Sequence, residues 1–93
     1  MAVCGTWTYR NVTTSVFKSL QNAGRKQGFT IPTAPSGKFA ISVASFNVGF
    51  SYAWDHGSGT LQLRCESKPV LLGCSTIKSF ADKIVVESGG RVG

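Results

Sequence analysis

The sequence predicts an α+β fold, a two-layer α-β-β-β-α domain with a three-stranded antiparallel sheet packed on two helices. Three observations predict it. Apolar and small residues alternate with a period of two from Lys38 to Trp54 and again from Thr60 to Cys65, the pattern of strands with one buried face. Apolar residues at helical spacing flank that region on both sides. The strands are separated by short turns, which favours antiparallel pairing.

The elements follow in order. Trp7 to Val12 alternates weakly, with Trp7 and Tyr9 on one side, and reads as a short strand or an extended lead-in. Asn11 or Thr13 is placed to cap the next element. Val16, Phe17, Leu20 and Ala23 continue the spacing begun at Val12, and Gly24 stands where a helix end accepts a left-handed residue. This predicts a first helix over Thr13 to Ala23. Arg25 to Gly37 contains Gly28, Pro32, Pro35 and Gly37 and reads as a long connection, with Phe29 and Ile31 pinning it to the core.

Phe39, Ile41 and Val43 then alternate with Lys38, Ala40 and Ser42, and a turn is expected at Ala44-Ser45. Phe46, Val48, Phe50, Tyr52 and Trp54 alternate with Asn47, Gly49, Ser51 and Ala53. Asp55 to Gly59 is a hairpin connection. Leu61, Leu63 and Cys65 alternate with Thr60, Gln62 and Arg64. Pro69 breaks the third strand, and Val70-Leu71-Leu72 reads as a short extended apolar segment. Ser75 is the expected cap of a second helix, whose stripe is Ile77, Phe80, Ala81, Ile84 and Val85. Gly89 and Gly90 end it, and residues 88–93 read as a flexible tail.

The 93 residues amount to one domain, 1–93. Hydrophobic residues make up 42% and charged residues 15%, enough apolar material for a core and too little charge for a disordered chain. The net charge is +6, from ten Lys or Arg against four Asp or Glu. The bases are scattered, and only Arg25 and Lys26 are adjacent, which is weaker than a clustered nucleic-acid stripe. No leader pattern is read at Met1-Ala2-Val3-Cys4. No apolar run approaches a membrane span, so no membrane partner is expected. Three cysteines without close spacing do not suggest a disulfide framework, and a reducing, cytoplasmic setting is expected.

Candidate chemistry is sparse. Ser36-Gly37-Lys38 contains a Gly-Lys pair, but Pro32 stands five residues before Gly37, where a phosphate loop has glycine, and Phe39 replaces the Ser or Thr. Cys74 precedes the second helix, where the helix dipole would lower a thiol pKa. The single histidine, His56, sits in a hairpin with no reason to approach it, so a structural cysteine is the expectation. Cys4, Cys65 and Cys74 lack zinc-site spacing. The acids Asp55, Glu66, Asp82 and Glu87 suggest no catalytic pair. No enzyme activity, cofactor or metal is expected.

The remaining feature is the far side of the sheet. Ala40, Ser42, Asn47, Gly49, Ser51, Ala53, Gln62 and Arg64 form a small, nearly uncharged face. The expected function is a non-enzymatic interaction module, a homodimer or larger assembly, or a binder of another protein, using this face or a strand edge. The alternative is anion or nucleic-acid binding through Arg25, Lys26 and Lys38. Base stacking on the sheet is not expected, because the alternation commits Phe46, Phe50, Tyr52 and Trp54 to the core.

Overall fold

Helix and strand propensity, caps and apolar periodicity combine in a two-layer α+β arrangement. The computed structural model describes residues 4–43 and 45–92. Met1–Val3, Ala44 of the expected turn and Gly93 of the expected tail lie outside the described residues, as does the side chain of Val43. The described residues form, in chain order, β1 (Thr6–Arg10), α1 (Thr14–Gln27), β2 (Ser36–Val43), β3 (Phe46–Asp55), β4 (Thr60–Ser67), α2 (Cys74–Glu87) and β5 (Arg91–Val92). All strand pairs are antiparallel, in the order β2-β3-β4-β1-β5.

The expected three strands are thus five among the described residues. Trp7 to Val12 does contribute a strand, β1, which docks beside β4 with Trp7 opposite Leu63 and Tyr9 opposite Leu61. Its two aromatics are too few to show a period, and its partner is more than fifty residues away. The tail is also ordered by pairing. Val92 lies opposite Tyr9 and Arg91 opposite Arg10, so β5 satisfies backbone groups on the otherwise open edge of β1. Asn11 Nδ2 donates to the Gly89 carbonyl at 3.0 Å, and the Gly90 N–H donates to the Val85 carbonyl at 2.9 Å.

Helix α1 begins as expected, with the Thr13 hydroxyl accepting from the Val16 N–H at 3.4 Å. It runs past Gly24 to Gln27 and ends at Gly28, whose φ is 94°. Gly24 is needed for a different reason than helix termination. A Cβ there would come within 2.8 Å of the Phe29 ring, so the glycine lets the connecting segment fold back against the helix. Helix α2 begins two residues earlier than a Ser75 cap would place it, with Gly73 as its N-cap and no side-chain cap.

Both helices lie on one face of the sheet. Phe17 of α1 stacks on Trp54 at 4.2 Å, and Phe29 stacks on Phe39 at 5.7 Å. Ile77, Ala81 and Val85 of α2 are buried with Tyr9, Leu61, Leu63, Phe50 and Tyr52 in one core. Three tryptophan and tyrosine polar atoms find partners, as burial demands. Trp54 Nε1 donates to the Val12 carbonyl at 2.7 Å. The Tyr52 hydroxyl lies 2.6 Å from the Ala34 carbonyl and 3.0 Å from that of Pro32, tying the long connection to the sheet. The Tyr9 hydroxyl donates to Asp82 Oδ1 at 2.7 Å, and Asp82 also holds Lys78 at 2.9 Å.

This topology creates two poles. One gathers the starts of β1, β3 and α2 with the ends of β2 and β4. The other gathers residues 11–13, the β3–β4 hairpin and the end of α2. Phe46, expected in the core, is 37% exposed. It is the first residue of β3, at the first pole. Val70 and Leu71 are also exposed there, in a turn rather than an extended segment.

Candidate interaction surface

A sheet with both helices on one side leaves the other side bare. Among the described residues, no helix or strand covers the face opposite the core. Strand alternation and register decide what it displays. Lys38, Ala40 and Ser42 of β2 lie opposite Ser51, Gly49 and Asn47 of β3. Ser51 and Ala53 lie opposite Arg64 and Gln62 of β4, and those two lie opposite Thr6 and Thr8 of β1. The eight residues expected on this face are therefore brought together. Ala40, Ser42, Asn47, Ala53, Gln62 and Arg64 are exposed, while Gly49 and Ser51 are half-buried.

The sequence pattern missed four members. Thr6 and Thr8 belong to β1, whose pairing is long-range. Lys38 was grouped with the cations of α1. Glu66 is the extra residue of a β-bulge, because Cys65 lies opposite Phe50 and Ser67 opposite Gly49. Its carboxylate reaches Ser51, whose hydroxyl donates to Glu66 Oε2 at 2.9 Å. Arg64 Nε stands 4.0 Å from the same oxygen and 3.5 Å from Thr6 Oγ1. A small polar network thus crosses β1, β4 and β3. Two shallow depressions meet beside it, sharing Ala53 and Gln62.

Arg25, Lys26 and Lys38 are not gathered into one site. Phe39 faces the helices, so its neighbour Lys38 points to the bare side of the sheet, whereas Arg25 and Lys26 are exposed in the last turn of α1. There they complement the helix dipole, an ordinary structural role, and Arg25 Nη2 donates to Asn22 Oδ1 at 2.7 Å.

The expectation that the cysteines form no disulfide is overturned. Cys4 and Cys74 form a disulfide, with Cα atoms 5.6 Å apart and a separation of 70 in sequence. Sequence spacing gave no sign of it, because the folding of β1 beside β4 brings the two together. The bridge consumes the Cys74 thiol as a nucleophile. It also removes the premise of unpaired cysteines from which a reducing compartment was expected. The third cysteine, Cys65, is fully buried, and burial pushes its thiol pKa upward, away from reactivity. Among the described residues, no three His, Cys, Asp or Glu side chains converge as metal ligands.

Inside the core, an apolar void of about 40 Å³ lies between helices and sheet, lined by Leu20, Phe29, Ile31, Phe80 and Ile84 among others. It is far smaller than the roughly 300 Å³ or more of small-molecule pockets. No helix of the described residues is long and apolar enough to cross a membrane. No protein-family model matches the chain, and neither a curated protein nor a solved structure does.

Proposed function

We propose that the protein is a non-enzymatic interaction module that pairs with a second copy of itself through the bare face of its sheet. The observation that carries this reading is a four-strand surface of small side chains with its charges nearly balanced. Small residues let two sheets approach closely. Of the ten cations, Lys38 and Arg64 stand on the face at Ser51, and Glu66 offsets one of them. Two copies carrying +6 each would repel one another through most other surfaces, so this is the favourable one.

A twofold arrangement suits the chemistry. The same patch must be complementary to itself, and Arg64 beside Glu66 supplies both signs for reciprocal pairing. The edge strand β2 adds eight residues with one unpaired side among the described residues, a second surface for association.

Light scattering at tens of micromolar tests the reading. The expected mass is that of a dimer, and Ala53→Glu is expected to shift it to monomer without lowering the melting temperature. A monomeric wild-type protein, or a dimer indifferent to Ala53→Glu, overturns it.

A further inference from the structure

The pole at the start of β3 and the end of β4 carries a second, independent feature. Val70 and Leu71 are 93% and 88% exposed, at the tip of a turn closed by the Leu72 N–H donating to the Pro69 carbonyl at 3.2 Å. The turn is held stiffly. Leu72 is buried, and Cys74 two residues on is bridged to Cys4. Lys68 Nζ donates to the Pro69 carbonyl at 3.3 Å, which sets a cation directly beside the apolar tip. Phe46 adds exposed aromatic surface at the same pole.

The chain is basic overall, with a net charge of +6. The chain has no acid before Asp55. Lys68 stands at the pole of the tip, while Glu66 there is committed to Arg64 and Ser51.

We infer that this pole docks peripherally on an anionic lipid surface, with Val70 and Leu71 entering the interface and Lys68 facing the headgroups. An exposed apolar tip flanked by a cation needs no preformed cavity in a bilayer, whereas a protein partner would have to supply one. Apolar insertion and attraction to anionic lipid are the two contributions that hold peripheral proteins. The expectation of no membrane partner came from the lack of a spanning segment. Peripheral docking requires none, and the exposed turn was hidden in an apolar triplet that reads as extended chain.

Co-sedimentation with vesicles of 30% phosphatidylserine in phosphatidylcholine tests this, in low and high salt. Wild-type protein is expected to bind at low salt, to bind neutral phosphatidylcholine vesicles far less, and to be released by high salt within the Debye screening of the cations. The Val70→Ser/Leu71→Ser double variant is expected to bind about tenfold or more weakly, and Lys68→Gln about fivefold more weakly. Both variants alter exposed or half-buried side chains, and unchanged melting curves check that they fold. Failure of wild type to sediment at low salt, equal binding to neutral vesicles, or equal binding by the double variant overturns the inference. So does a drop in solution mass caused by the double variant, which would make the tip a contact between copies.

Discussion

The two faces of the sheet are built by the same strands and share nothing else. The covered face carries Tyr9, Val48, Phe50, Tyr52, Leu61 and Leu63, all buried. The bare face carries Thr6, Ala40, Asn47, Ala53, Gln62 and Arg64, all exposed. Alternating residues of one strand therefore have opposite energetic roles. On one face each side chain displaces water and fills space beside a helix. On the other it changes the fold little and is free to be selected for contact with something outside the chain.

The sharpest way to break this comparison is to truncate the covered face. Phe50 packs against Phe39 at 5.5 Å and Trp7 at 6.3 Å. Phe50→Ala is expected to cost about 3–5 kcal/mol in urea unfolding, a large share of the stability of a small domain. A loss under about 1 kcal/mol would mean that this face is not a close-packed core.

A smaller effect is expected where the covered face uses a polar atom. Burial, reinforced by the hydrogen bond to Asp82 and its negative charge, pushes the Tyr9 phenol far above its ordinary value of 10.0. The folded chain keeps a proton that the unfolded chain releases, so this contribution to stability is complete below about pH 10 and declines as pH rises further. Tyr9→Phe is expected to cost about 1–2 kcal/mol at neutral pH and to make the alkaline decline shallower. The burial-raised Tyr52 and Cys65 still titrate in the variant, so the decline persists in part. Urea midpoints measured from pH 8 to 11 in both proteins check the difference.

The smallest effect belongs to the bare face. Ala53→Ser is expected to leave unfolding unchanged within about 0.5 kcal/mol. A loss comparable to that of Phe50→Ala would show that the bare face is part of the core and end the comparison.

Much of the covered face was legible in the sequence, because period two in β2, β3 and β4 and the stripes of Phe17 and Leu20 or Ile77, Ala81 and Val85 are local patterns. The eight expected members of the bare face followed from the same alternation. Glu66 was missed because Pro69 suggests that the third strand stops at Cys65, whereas β4 runs to Ser67 and carries residue 66 on the side of Gln62 and Arg64. The helix ends were blurred for a similar reason. Gly24 looked like a terminator, and only the approach of Phe29 shows it to be an interior residue.

By itself, the sequence determined the class of fold, the core side of each long element and the residues spared from the core. Those are consequences of side-chain direction along a helix or strand, which spans a few residues. Only tertiary structure decided the pairing of β1 with β4, the capture of residues 91–92 as a fifth strand, the Cys4–Cys74 bridge and the exposure of Val70 and Leu71. Each depends on which distant segment lies alongside, or on whether anything does, and no local period records that.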